Sequence, residues 1–232
     1  MTTYNGEKYI KDQIESILCQ LKEGDELLIS DDGSTDKTLK ILSDISNFDS
    51  RIKIFSGPQK GLQKNFEYVL LKSRGDYIFL CDQDDIWLPS KVALTLHKLR
   101  ESNLVITDCS VVDNNLQVLH ESFFKLNGKR TSLISNLYKN SYLGCCMAFD
   151  RAVLDKALPL PNKVPMHDWW IGLVSALYFK TAFIDDSLIM YRRHGFNASS
   201  TSIKSKNNIF KKFKDRLLIA CFLLKLILKG KK

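Results

Sequence analysis

The chain has 232 residues, 44% of them hydrophobic and 26% charged, a globular composition that excludes a disordered or collagenous protein. The net charge is +8, but residues 203–232 hold ten Lys/Arg and one acid, leaving 24 basic and 25 acidic groups in the first 202 residues. A near-neutral body with a basic tail is not the footprint of a nucleic-acid-binding face. No apolar run reaches the roughly 18–20 residues of a membrane-spanning helix, and the first residues do not read as a secretory signal.

Residues 7–21 place Ile10, Ile14, Ile17, Leu18 and Leu21 at helical spacing. Leu27-Leu28-Ile29 predicts a short strand that runs into Ser30-Asp31-Asp32-Gly33-Ser34-Thr35-Asp36, where Gly33 breaks the strand and Ser34 or Thr35 can cap the next helix. That helix carries Leu39, Ile41, Leu42 and Ile45. A second strand covers residues 52–55, and Gly57-Pro58 marks a loop before a third helix carrying Leu62, Phe66, Val69 and Leu70. Tyr77-Ile78-Phe79-Leu80-Cys81 predicts a buried strand that stops at Asp82-Gln83-Asp84-Asp85. Pro89 opens a helix reaching about Arg100, and residues 104–106 form one more strand. The second half predicts strands at 117–119, 145–149 and 182–191, with helices near 131–138, 151–157 and 168–178. Helix–strand alternation with short links implies an α/β fold with a mostly parallel sheet, whose ligands bind beyond the carboxyl ends of the strands. Both acidic clusters sit at such ends. Six cysteines form no Cys-x-x-Cys pair, so a zinc ribbon is not expected and a reducing cytoplasm is the simplest compartment.

Carboxylates at i and i+2 after a strand can hold a divalent cation, which commonly bridges phosphate oxygens. Alone, Asp82, Asp84 and Asp85 also read as solvated turn and cap residues, or as a phosphatase motif with Asp82 as nucleophile. The ordered set is more specific: Thr3-Tyr4-Asn5-Gly6-Glu7, Ser30 to Asp36, Lys60-Gly61-Leu62-Gln63-Lys64-Asn65-Phe66, and Gly75 to Trp87 with its Asp82-Gln83-Asp84-Asp85 core. Over about residues 2–195, and most strongly over 2–100, this chain resembles family 2 glycosyltransferases of the GT-A fold. Asp82 to Trp87 and His167-Asp168-Trp169-Trp170 are most similar to the bacterial rhamnosyltransferase-type branch of polysaccharide assembly.

The resemblance implies a GT-A domain over residues 1–200; the basic tail over 201–232 lies outside it. The domain divides into a nucleotide-sugar half (1–108) built on a mostly parallel sheet and a smaller mixed acceptor half (109–200). It implies donor contacts at Thr3, Tyr4, Asn5, Glu7, Asp31, Asp32, Lys64, Asn65, Asp82, Gln83 and Gly144. A Mn²⁺ or Mg²⁺ cofactor would sit on Asp82 and Asp84, with His194 as a further ligand, and Asp168 would be the catalytic base of an inverting transfer. The donor is expected to be dTDP-rhamnose, or else a UDP-hexose. The acceptor is expected to be a lipid-linked or growing cell-surface glycan at the inner face of the cell membrane. Arg192 and Arg193 could meet a diphosphate or simply be solvated, and Cys146 reads as core.

The sequence begins almost at the end of the first strand that the resemblance leads one to expect. A misassigned start is favoured over a truncated, inactive remnant or another segment filling that slot. In the tail, Ile209, Phe213, Leu217, Cys221, Leu224 and Leu228 fall near one helical face, flanked by Lys214 and Lys225, with Lys211, Lys212 and Lys229 away from it. A basic amphipathic helix of this kind is expected to lie on a membrane surface, the alternative being a helix packed on the domain with solvated lysines.

Overall fold

A computed structural model describes residues 1–194 and 209–229. Gly195 and the basic residues Lys204, Lys206, Lys231 and Lys232 lie outside the described residues. So do the side chains of Ile209 and Lys229.

The first part alternates as expected: β1 (Thr2–Thr3), α1 (Ile10–Leu18), β2 (Leu27–Asp31), α2 (Thr38–Ser46), β3 (Ile52–Ser56), α3 (Leu62–Lys72) and β4 (Tyr77–Phe79). Next come β5 (Ile86–Trp87), α4 (Lys91–Leu99), β6 (Leu104–Val112), β7 (Val118–His120), α5 (Phe123–Asn127) and α6 (Leu133–Tyr138). A 3₁₀ turn at Gly144–Cys146 leads into β8 (Met147–Asp150), α7 (Arg151–Ala157), α8 (His167–Tyr178), β9 (Thr181–Arg192) and α9 (Ile209–Lys229). The residues 86–87 strand and the residues 123–127 helix are too short for periodicity to mark them.

The strands form two sheets. β1, β2 and β3 are parallel, whereas β4, β8, β6, β9 and β5 form a mixed sheet with β7 on its margin. In the mixed sheet only β6 and β9 run parallel. The mixed sheet draws strands from both halves of the chain. β4 and β5, from the first half, pair with β8 and β9, from the second. The mixed sheet is therefore the larger one and carries the second acidic cluster.

β1 is only two residues long, and its partner β2 runs on without it. Between β2 and β4 lies a cavity of about 520 Å³, lined by apolar Met1, Leu28, Phe66, Ile78 and Trp87 and by charged residues such as Glu26 and Arg74. The Met1 ammonium donates to the Leu28 carbonyl at its edge. Among the described residues no other strand enters this gap.

Amphipathic α1 buries Ile10, Ile14 and Ile17 on one face, each contributing about 1.5–3 kcal/mol by leaving water. Its polar residues hold the acidic loop from behind. Buried Gln13 donates to the Asp82 carbonyl (3.1 Å), Ser16 Oγ accepts from Trp87 N (3.0 Å), and Gln20 Oε1 accepts from Val92 N (3.2 Å). The helix and the turn after it thus fix the loop that follows β4 and the strand and helix beyond.

Candidate active site

Where β1, β2, α3 and the loop after β4 meet the start of α8, a cleft of about 490 Å³ opens. Of the residues expected to bind donor or metal, Thr3, Tyr4, Asp32, Asn65, Asp82, Gln83, Asp84, Gly144 and Asp168 line it. The cleft also takes in Gln59, Leu143, Met166, His167 and Tyr191, which sequence reasoning did not single out.

One wall is a self-satisfied turn. Asp31 Oδ1 accepts from Gly33 N and Ser34 N, and its Oδ2 accepts from Ser34 Oγ. Asp32 reaches across to the loop before α3, accepting from Gln59 N (2.7 Å) and Gly61 N (2.9 Å). Gly61, at φ 85°, takes a backbone conformation that side-chain-bearing residues rarely adopt. Gln83 closes this wall against the acidic loop. Its Oε1 accepts from Thr3 Oγ1 (2.5 Å) and Tyr4 N (2.9 Å), while its Nε2 donates to the Tyr4 carbonyl (3.1 Å). A Cβ at Gly6 would collide with that Gln83 amide, so the close approach requires glycine.

Four expected donor contacts are placed outside the cleft lining. Asn5 Oδ1 accepts from Thr35 N, and Glu7 Oε2 accepts from Lys37 N just before α2. Asp31 is consumed by its own turn. Lys64 pairs with Glu67 (2.6 Å), one helical turn on, and does not line the cleft. Asn65 does reach the lining, but its amide is anchored to Ser30: Oδ1 accepts from Ser30 Oγ and Nδ2 donates to the Ser30 carbonyl.

The opposite wall concentrates negative charge. Asp84 and Asp85 are buried and Asp82 is half-buried. Loss of solvent, then repulsion from Asp84 and Asp168, pushes the Asp82 carboxyl above its ordinary range. Burial, then Asp84 and Asp82, does the same to Asp85. Asp85 Oδ1 accepts from Arg192 N (3.0 Å), while Oδ2 is buried without a hydrogen-bond partner. Asp84 Oδ2 lies 2.7 Å from His194 Nε2, and His194 stacks on Tyr9 with ring centroids 4.9 Å apart. An unsatisfied buried carboxylate oxygen within an acidic cluster fits a site for a divalent cation. Of the ligands expected from the sequence, Asp84 and His194 are in direct contact and Asp82 lies in the same loop. Ligand atoms of Asp82, Asp85 and Cys145 also lie within 4.8 Å of one another.

The two arginines after β9 resolve differently from either expectation. Arg192 is buried, its Nε donating to the Asp84 carbonyl and its Nη1 to the Asn114 carbonyl, with Tyr9 against its guanidinium. It braces the acidic loop. Arg193 lies against the Tyr191 ring and donates to its hydroxyl.

Asp168 stands in the first turn of α8, one wall removed from the Asp82–Asp85 loop. Met166, not Asp168, is the residue that caps this helix. Asp168 Oδ2 accepts from Gly144 N (3.0 Å) and Oδ1 from its neighbour Trp169 N (2.6 Å). Burial raises its pKa to about 6, against the pull of those backbone N–H donors. A carboxyl with that value suits a general base working near neutral pH. His167 stacks on Phe66 with ring centroids 3.8 Å apart. It is 3% exposed, and neither ring nitrogen has a hydrogen-bond partner. Burial pushes its pKa down to about 3, so the ring is neutral. The available sequence signal for His167 was its place immediately before Asp168, at the start of the helix that continues into the apolar run.

The sequence model of Glycosyl transferase family 2 matches residues 1–158, more than half of the chain. The chain belongs to that family. This membership, and not the Asp-x-Asp pattern alone, sets the phosphatase alternative aside. The chain is 29% identical over 224 residues to the dTDP-rhamnosyl transferase RfbG of Shigella flexneri, covering 89% of this chain and 75% of that protein. It is 27% identical over 221 residues to the Escherichia coli UDP-Glc:alpha-D-GlcNAc-diphosphoundecaprenol beta-1,3-glucosyltransferase WfgD, covering 93% and 80%. Among solved structures, Staphylococcus aureus TarS residues 1–349 with UDP-GlcNAc superposes with a TM-score of 0.70 at 18% identity, covering 94% of this chain and 64% of that one. At that identity the match shows the fold, which is GT-A. The transferase spans about half to four fifths of the length of the curated relatives it matches.

Proposed function

We propose that this chain is an inverting, divalent-metal-dependent hexosyltransferase that moves a sugar from a nucleoside diphosphate donor to a lipid-linked glycan. The observation that carries this reading is a buried carboxyl, Asp168, facing the Asp82–Asp84 pair across one cleft. Tyr4, Asp32 and Gln83 form the wall suited to the nucleoside. A carboxylate there can accept from a pyrimidine N3–H or a ribose hydroxyl. Asp82, Asp84 and His194 would hold Mn²⁺ or Mg²⁺. When bound, that cation supplies positive charge to the departing diphosphate.

Asp168 accepts the proton of the acceptor hydroxyl as its oxygen bonds to the anomeric carbon. The bond from that carbon to the diphosphate oxygen breaks with its electron pair, releasing the nucleoside diphosphate and inverting the centre. Gly144 N and Trp169 N keep the Asp168 carboxyl aimed. dTDP-rhamnose is the favoured donor, from the likeness to RfbG, with UDP-hexoses second, from the likeness to WfgD. WfgD's diphosphoundecaprenol acceptor favours a lipid-linked acceptor and a peripheral place on the inner face of the cell membrane.

The test is thermal melting with Mn²⁺ and either UDP or dTDP, since a ligand of the folded state raises the midpoint by mass action. A shift that needs both metal and nucleotide, and is lost in Asp84→Asn, supports the site. A cooperative melt indifferent to every nucleotide would mark the chain as an inactive remnant.

A further inference from the structure

The helix α9 divides its apolar residues between two faces. Ile219 and Leu223 are buried on the domain, Phe222 meets the Trp170 ring edge-on at 6.4 Å, and Arg216 Nε donates to the Tyr138 carbonyl at 2.7 Å. The opposite face carries Phe213, Leu217, Leu224 and Leu228, each 56–66% exposed, with exposed Cys221 among them. Their spacing of three, four and seven residues sets them in one line along the helix. This is the stripe on which sequence periodicity fell, and it faces away from the domain. The helix is therefore both docked and amphipathic: the two sequence alternatives describe its two sides.

Lys214 and Lys225 are exposed along one flank of the stripe, and Lys211 is exposed on the same side, farther round the helix. At 21 residues the helix is about 30 Å long. No helix among the described residues is long and apolar enough to cross a membrane. Beside α9, Ile134 and Tyr138 of α6 are 79% and 74% exposed.

We infer that this face of α9 lies in the interface of an anionic lipid bilayer, with Phe213, Leu217, Leu224 and Leu228 in the acyl boundary and Lys211, Lys214 and Lys225 on the headgroups. Charge selects this occupant. A second copy docked through the same face would set lysines against lysines, and Asp215 is the only acid after residue 202. An anionic leaflet answers the apolar stripe and its cations together. The inference rests on the helix and not on sugar transfer. It would nevertheless bring the cleft to where a lipid-linked acceptor is found.

The experiment is co-sedimentation of the full chain with vesicles of phosphatidylcholine alone and with added phosphatidylglycerol, at low and high salt. Binding should be about a hundredfold tighter to the anionic vesicles, from three lysines near the surface, and should weaken with salt. Leu217→Asp with Leu224→Asp should abolish it, and Lys214→Glu with Lys225→Glu should remove most of the anionic preference. All four positions are exposed, so melting midpoints should not move. Equal partition into both vesicle types, or none into either, overturns the inference. So does a concentration-dependent dimer that the leucine variants disperse, since the stripe would then belong to a second copy. Metal-dependent nucleotide binding, measured without vesicles, fails separately if the transferase reading is the one at fault.

Discussion

The turn after β2 holds Asp31, Asp32 and Asp36 against backbone N–H groups and hydroxyls, whereas the turn after β4 holds Asp82, Asp84 and Asp85 against one another. Both are aspartate-rich strand ends and both face the same cleft. In the first, every carboxylate named accepts from loop amides, so negative charge shapes the loop. In the second, burial and mutual repulsion raise the pKa values of Asp82 and Asp85, and one Asp85 oxygen is unpaired. Similar composition thus yields a folding device on one wall and an unbalanced charge on the other. Only the second leaves charge that calls for a cation.

The sharpest way to break this contrast is at Asp168, which adds its charge to the second wall. Asp168→Asn should lower turnover by about 10²–10⁴-fold, while metal-dependent nucleotide binding by calorimetry stays within a few-fold. Loss of both together would make Asp168 a structural residue. On the first wall, Asp31→Ala deletes the acceptor for Gly33 N, Ser34 N and Ser34 Oγ. It should cost about 2 kcal/mol in urea unfolding and leave the response to Mn²⁺ in place. Asp82→Asn should have the opposite sign. It relieves repulsion, raises the stability of the cation-free protein by about 1 kcal/mol, and abolishes the response to Mn²⁺. Two aspartates changed on two walls, with stability moving in opposite directions, would establish the difference between them.

The pH dependence follows the same division. The Asp168 carboxyl has a folded pKa of about 6 against an ordinary value of 3.8. Between those values the folded protein binds more protons than the unfolded chain. Its contribution is fully present below the ordinary value and is lost as pH rises through about 6. Unfolding of the cation-free protein followed across this window should show stability falling. Added Mn²⁺ should offset the fall increasingly as protons leave. Turnover should rise over the same range as the base ionises. The smallest effect is expected at His167. His167→Phe keeps the ring stacked on Phe66 while removing two unpaired nitrogens, so the melt should hold or rise, and donor KM should increase several-fold if a sugar hydroxyl meets the imidazole.

Much of this was legible in order and spacing. Ile10, Ile14 and Ile17 announced α1, and Tyr77 to Asp82 announced a strand ending in acid, because both patterns are local. The sheet partition was not legible. Whether β4 pairs with a neighbour in sequence or with β8, seventy residues on, depends on long-range register that no local pattern encodes. The same limit applies to side-chain use. Glu7, Asp31 and Lys64 have the chemistry of ligand contacts, and only the folded chain shows that they meet Lys37 N, the 33–34 turn and Glu67. Arg192 read as either a diphosphate contact or a solvated cation, because nothing in its neighbours disclosed that it would be buried against Asp84 and Asp85.

Gln83 has a consequence that reaches beyond its three hydrogen bonds. A single amide joins the Thr3–Tyr4 backbone to the loop bearing Asp82 and Asp84, so the two ends of a bound nucleotide would be read by parts that move as one. Occupancy at either end then carries a free-energy coupling to the other, and that coupling is reciprocal. The factor by which Mn²⁺ tightens UDP or dTDP must equal the factor by which the nucleotide tightens Mn²⁺. Gln83→Ala should shrink both factors together, turning one cooperative event into two independent ones.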